Sequence, residues 1–328
     1  MKKFLIPKEG NFYKANLHCH STVSDGLWTP EEIKERYIAE GYSVVAYTDH
    51  DVLIPHKELA EDSFLPLTGM EIEINEDDSV AREKKSCHIC MIALDEENVI
   101  QPCYHRTKFI PPCSIEYKPF VVFDENKPDF EREYTGECIS RMMKEARDEG
   151  FFVTYNHPAW SSEGYKDYSG YNNMHAMEIT NYSCLFSGYN DYNEKEYDEM
   201  LRDGKRIFCI AADDNHNGNA DSFGGFTMIK AESLSYKNIT DALIKGHFYA
   251  SQGPLIESLW FEDGKITICT KEPSDIVFTT GRRSVGRIRN SNKASFSVCP
   301  EDIYVRVTVT DKEGKHANTN AYFLDELI

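Results

Sequence analysis

His18-Cys19-His20-Ser21-Thr22-Val23-Ser24-Asp25-Gly26 closes a short apolar run at residues 15–18 and leads directly into Thr29-Pro30-Glu31-Glu32. Alternate residues of a strand share a face, so the imidazoles at 18 and 20 are placed to reach one ion. Asp25 follows in a Ser-Asp-Gly turn, a carboxylate kept close to the strand end. Thr29 then supplies an N-cap, Pro30 a first helical position and Glu32 the capping-box acid, while Gly41 ends the helix. Strand, polar turn and capped helix in this order make the first unit of a β/α architecture.

Working outward, apolar runs at 43–48, 65–70, 88–94, 151–156, 176–180, 207–211 and 226–229 predict further strands. A helix is predicted over 135–150, with Ile139, Met142, Met143 and Ala146 on one face, and shorter helices end at Gly204 and Gly246. The first 254 residues thus carry the alternation of a parallel sheet. Between 97 and 134 the pattern breaks under prolines at 102, 111, 112, 119 and 128, as an inserted loop or lid does. After Gly253-Pro254, polar and apolar residues alternate at 266–270, 276–280, 294–298 and 304–310 without helices, predicting a small all-β sandwich over 255–328.

The 328 residues are enough for two domains or one large barrel with additions, and 41% hydrophobic against 28% charged excludes a disordered chain. No apolar run approaches the ~18 residues of a membrane span, and residues 1–10 lack an apolar signal region. A cytoplasmic protein without membrane partners is expected, its ten scattered cysteines reduced. The formal charge is −19; 10 basic and 11 acidic residues lie after Pro254, leaving −18 on the first 254 residues. Such a body repels a polyanion unless bound cations invert the field locally. Cys87-His88-Ile89-Cys90 has no second CxxC pair to complete a zinc knuckle. Arg282, Arg283, Arg287 and Arg289 form a basic cluster able to meet a phosphate backbone or another subunit.

Ligand-type residues recur at the strand ends. Thr48-Asp49-His50-Asp51 ends the second strand, Gly69-Met70-Glu71 the third, and His88 lies on the fourth; Asn156-His157-Pro158 follows, then Glu178, then Asp213-Asp214-Asn215-His216. Six of eleven histidines sit in such positions beside carboxylates, where an α/β barrel builds its site. Asp49 is expected to orient His50 or a neighbouring ligand. Mixed imidazole and carboxylate donors suit Zn, Mn or Fe better than an all-oxygen cage suits Mg or Ca. Asn156, Arg106 and Lys108 are candidate phosphate binders, the last two if the insert folds over the cleft.

In combination these motifs resemble the PHP (polymerase and histidinol phosphatase) phosphoesterases over the first 250 residues. The resemblance implies a distorted seven-stranded (β/α) barrel holding two or three divalent ions and hydrolysing phosphate esters. It implies one ion on His18, His20, Glu71 and Asp214, a second on Glu71, His88 and His157, and a third on Asp25, His50 and His216. Asp213 competes with Asp214, the spacing to His216 favouring Asp214. Glu71, His157 and Asp214 are the residues expected to carry the reaction.

The expected function is hydrolysis of a small phosphate monoester, a nucleotide or nucleotide bisphosphate. The alternatives are 5′ to 3′ trimming of short oligonucleotides and a non-catalytic, metal-stabilised scaffold whose β domain binds a protein. An amidohydrolase also uses a strand-end HxH, but its metal-bridging Lys has no evident counterpart here. Composition and motifs leave the oligomeric state open.

Overall fold

The computed structural model describes residues 2–77, 84–282 and 285–327. The first part of the chain forms β1 (Lys3–Phe4), β2 (Asn11–Asn16), β3 (Val44–Tyr47), β4 (Leu65–Asn75), β5 (Ser86–Ala93), β6 (Phe151–Tyr155), β7 (Ala176–Asn181), β8 (Phe208–Ala212), β9 (Phe226–Ala231) and β10 (Phe248–Ser251). The last part adds β11 (Ile256–Glu262), β12 (Lys265–Thr280), β13 (Val285–Ser297), β14 (Tyr304–Thr310), β15 (His316–Thr319) and β16 (Tyr322–Phe323). The helices are α1 (Pro30–Ala39), α2 (Gly136–Asp148), α3 (Tyr165–Tyr168), α4 (Ser183–Phe186), α5 (Glu194–Arg202), α6 (Tyr236–Lys245) and α7 (Leu324–Leu327). Thr29 and Glu32 cap α1 reciprocally, as their spacing predicts.

The result is a mixed α/β fold on one hydrogen-bonded sheet, in the order β1, β11, β12, β14, β15, β10, β9, β2, β3, β4, β5, β6, β7, β8, with β13 on β12 and β16 on β14. The sheet is not uniformly parallel. β2, β3 and β4 run parallel, as do β6, β7 and β8, but β5 is antiparallel to both its neighbours and β9 to β2. Ten residues separate Asn75 from Ser86, too few for the crossover a parallel pair needs. Reversing β5 has a functional effect: its beginning, at His88, meets the ends of β4 and β6.

The expected ring of seven strands is not closed by a continuous ladder, and no β8–β9 backbone ladder forms among the described residues. Side chains satisfy the free edge of β8 instead. Thr227 Oγ1 accepts from the Ala211 N–H at 3.2 Å and donates to the Ala211 carbonyl at 3.0 Å, and Asn320 Oδ1 accepts from the Cys209 N–H at 3.0 Å. Only at the rim do β8 and β2 meet through backbone: the Asp214 N–H donates to the His18 carbonyl at 2.9 Å, beside a parallel bridge from Cys19 to Asn215.

The C-terminal strands correct a second expectation. They do not form a sandwich apart from the first sheet; β15 pairs with β10 and β11 with β1, so the tail prolongs the same sheet. Two expected strands, 266–270 and 276–280, are one long strand interrupted by register shifts. Tyr304, Ala321 and Phe323 enter the core formed by Met142, Met200, Leu201 and Ile207. Arg306, fully buried on β14, pairs twice with Asp198 of α5 and once with Glu194, each at 2.8 Å. A second apolar core lies beneath the tail itself, around Leu259, Ile268, Phe278 and Val307.

Candidate metal centre

The site forms where strand ends converge on the rim. His18 and His20 continue from β2 and are fully buried, while Cys19 between them turns the other way into the apolar cluster of Trp28, Ile33 and Tyr47. That alternation is the strand pattern read from the sequence. His157 and Asp214 leave β6 and β8 with left-handed backbones, φ 25° and 56°, in a region non-glycine residues seldom occupy. Such strain persists where surrounding contacts hold a side chain at a defined point.

Four overlapping groups of donor atoms result: His18, His20, Glu71 and Asp214; Glu71, His88 and His157; His20, Asp25, His50 and His216; and His18, His157 and Glu178. Glu71, buried at the centre, lies 3.2 Å from His18, 3.4 Å from His20, 3.4 Å from His50, 3.2 Å from His88 and 3.3 Å from His157. Asp214 Oδ1 lies 3.1 Å from both His18 Nε2 and His20 Nε2, which are themselves 3.1 Å apart. Asp25 Oδ1 stands 3.5 Å from His216 and 3.7 Å from His50. Donors in tetrahedral or octahedral shells with bonds of about 2.1 Å are spaced about 3.0–3.4 Å apart. Yet many of these contacts lack hydrogen-bond geometry. His50 Nδ1, both ring nitrogens of His88 and Asp214 Oδ1 are buried without a hydrogen-bond partner, a costly arrangement that cations at the points of convergence would relieve. The residues fit the ions.

Electrostatics point the same way. Burial alone raises a carboxylic acid, but His18 and His88 hold Glu71 well below its usual range, and His18 and His20 do the same for Asp214. Burial depresses an imidazole, yet Asp214 and Glu71 overcome it at His20, raised to about 10, and Glu71 does so at His88, raised to about 9. His50, buried beside the charge of His20, falls to about 3. Protons on His20 and His88 thus stand where divalent ions would, and binding metal would release them.

A surrounding layer fixes these groups. Glu178 accepts from His18 Nδ1 at 2.7 Å, the His157 N–H at 3.0 Å and Asn181 Nδ2 at 2.8 Å, leaving His18 Nε2 to face the centre. Asp49 accepts from the Ser21 N–H and hydroxyl and from Ser24 Oγ, which lies 3.3 Å from His20 Nδ1; it acts on the turn that carries His20. Asp213 is turned away, accepting from the backbone N–H groups of Phe223, Gly224 and Gly225 and from Tyr37 OH, and Asp214 alone of the pair faces the donors. Burial pushes Asp213 up to about 6 against those donated bonds. Glu178 was read as one of the ligand-type residues at the strand ends, with no role assigned, while Asn181 and Ser24 gave no signal of their own.

The three expected phosphate binders are engaged elsewhere. Asn156 is fully buried and donates to Glu71 Oε1 at 2.9 Å, so it positions the central carboxylate. Arg106 is held by Asp129 at 2.6 Å and by the carbonyls of Glu125 and Lys127, and Lys108 by Glu131 at 2.9 Å; acids of the insert itself neutralise both. The insert does pack over ligand-bearing turns, Val121, Tyr104, Ile110 and Tyr117 meeting Val23 and Val52. Its end sends the buried Arg132 to Asp51, next to His50, a tie the sequence reading missed. Of the C-terminal arginines, Arg282 binds Asp302 at 2.7 Å and Arg287 binds Asp275 at 2.8 Å, while Arg283 lies outside the described residues.

The family model of the PHP domain matches residues 16–215, stopping one residue short of His216. The chain belongs to the PHP domain family. A 66-residue stretch covering 19% of the chain is 44% identical to a 5′-3′ exoribonuclease of Haemophilus influenzae, and spans only 24% of that relative's length. Among solved structures, this PHP chain is similar to a two-domain protein from Bacteroides vulgatus containing a predicted PHP-like metal-dependent phosphoesterase, with 14% identity, 98% of this chain and 97% of that one covered, and a TM-score of 0.48. It is also similar to an amidohydrolase from Chromobacterium violaceum, with 14% identity, 63% and 89% covered, and a TM-score of 0.37.

Proposed function

We propose that this PHP domain, a phosphoric ester hydrolase by family, cleaves a small phosphate monoester, a nucleotide or a nucleotide bisphosphate, with two or three Zn, Mn or Fe ions. One observation carries the reading: donor groups that share Glu71 hold several buried ligand atoms with no hydrogen-bond partner. His18, His20, Glu71 and Asp214 would hold one ion, Glu71, His88 and His157 a second, and Asp25, His50 and His216 a third. Bound ions supply Lewis acidity and bring the pKa of water near neutrality. Glu71 keeps the first two groups adjacent, Glu178 sets the ring of His18, and Asn156 fixes Glu71. In this proposal residues 1–254 form a distorted (β/α)7 barrel bearing every ligand, residues 255–328 are an appended β unit, and the setting is cytoplasmic. Ten free thiols, seven of them buried, suit a reducing compartment, and no helix among the described residues is long and apolar enough to cross a membrane.

The match to an exoribonuclease favours a second reading, trimming of short oligonucleotides. A charge of −19 and the paired arginines of the tail weigh against a long polyanion. Turnover of metal-loaded protein on nucleoside monophosphates, a 3′,5′-bisphosphate, sugar phosphates and a 5′-phosphorylated tetranucleotide ranks the readings. Activity confined to the tetranucleotide would replace the first by the second, and no turnover with any loaded metal would defeat both.

A further inference from the structure

Resting on the phosphoesterase reading above, we infer that Trp160 is the specificity residue of this site, a ledge on which the planar base of a nucleotide leaving group stacks. Trp160 follows His157 by three residues, and its ring centroid lies 5.1 Å from those of both His88 and His157, at interplanar angles of 67° and 80°. Both belong to the donor group built on Glu71. The indole therefore borders the shell in which a phosphate would be bound, and 36% of the residue is open to solvent. A large aromatic surface left uncovered beside ligands is available to whatever group the bound phosphate carries.

The ledge is rigid. The Ser161 N–H donates to the His157 carbonyl at 3.1 Å, the Glu163 N–H to that of Pro158 at 3.1 Å, and the Ser86 N–H ties the loop to β5 through the Ser161 carbonyl at 3.3 Å. Glu163, buried under the loop, accepts from Tyr134 OH and Tyr155 OH, each at 2.7 Å, and from Tyr171 OH. Holding an exposed tryptophan in one place beforehand removes the ordering cost of stacking. Beside the opposite donor group, the exposed side chain next to His216, whose carbonyl accepts from the Leu27 N–H at 3.0 Å, is the aliphatic Leu27. Aromatic stacking is thus offered beside the His88 and His157 group, where it recognises a flat base irrespective of its hydrogen-bonding edge.

The test compares adenosine 5′-monophosphate with ribose 5-phosphate, which differ only by the base, on metal-loaded wild type, Trp160→Phe and Trp160→Leu. Wild type should favour the nucleotide by on the order of tenfold in kcat/KM, chiefly through KM. Phe keeps a π face and should retain most of that ratio; Leu keeps an apolar side chain without one and should bring it close to unity. A wild-type ratio near one, or a ratio unchanged in Trp160→Leu, overturns the inference. If metal-loaded wild type hydrolyses neither compound, the phosphoesterase reading fails separately. Equilibrium binding of the same two compounds then decides the ledge: tighter nucleotide binding that is lost in Trp160→Leu upholds it, and equal binding overturns it.

Discussion

Replacing Glu178 by Gln should weaken metal binding without unfolding the protein. The carboxylate is fully buried and accepts three bonds, from His18 Nδ1, the His157 N–H and Asn181 Nδ2. Gln preserves the shape but removes the charge, and its amide nitrogen must face one of three donors. A hydrogen bond to a charged acceptor contributes about 1.5–3 kcal/mol, so the loss at His18 is about 2 kcal/mol, or roughly thirtyfold in affinity. That lies within the range of about 10- to 100-fold found when a group orienting a ligand histidine is removed. Titrating chelator-stripped protein with Mn(II) and Zn(II) against a competing chelator measures it, with circular dichroism checking the fold. Affinity within about threefold of wild type would show that Glu178 does not set the tautomer of His18, and the role given to it would fall.

Glu71→Gln should lose bound metal and at least about a hundredfold in turnover while keeping native circular dichroism, because Glu71 belongs to both of the first two donor groups; near wild-type turnover would reduce Glu71 to a buried strand acid. His175, stacked on Phe152 and accepting from the Val153 N–H at 3.0 Å, is held by burial at about 3. The unfolded chain gains that proton as pH falls through about 6.5 and the folded chain does not until about 3, so the contribution of His175 to stability is complete above 6.5 and declines below it. His175→Asn keeps an acceptor but cannot charge, and its urea-unfolding stability should fall less than that of wild type between pH 7.5 and 5; parallel losses would refute this. Asp198→Ala should cost about 3–5 kcal/mol by leaving Arg306 buried with a weakened partner set, read from chemical denaturation as one transition if the tail and the site-bearing part unfold together.

What the sequence made legible follows periodicity and punctuation. Apart from β1 and β10, which no predicted run covers, the strands of the first 254 residues and helices α1, α2, α5 and α6 appear near where apolar runs and caps place them, because local preference and packing agree there. Strand direction was not legible. The run containing His88 is buried throughout, so its pattern is the same whichever way it runs; only the ten-residue link from β4 argues for reversal. The tail misled for a related reason. Alternation along 266–270 and 276–280 describes a half-buried strand but not its partner, and the pairing of β15 with β10 depends on residues far apart in the chain.

The site divides along the same line. Imidazoles and carboxylates at strand ends can be read as donors because few other uses account for so many of them together, and the structure gathers all nine into overlapping groups, two of which contain Glu71. Basic residues have no such restriction, since any nearby acid can absorb them: Arg106 and Lys108 are taken by Asp129 and Glu131 within the insert. Asn156 illustrates the complementary error. Adjacent to a ligand histidine, it could face outward to a phosphate or inward to a carboxylate, and the alternation along β6 decides between them. His157 departs from the strand with a left-handed backbone while Asn156 still follows it, so Asn156 points into the ring, where Glu71 needs a neutral donor that supplies no competing charge. Substrate recognition must then come from groups beyond the strand ends, and Trp160, on the loop that His157 begins, is such a group in direct contact with two of the donors.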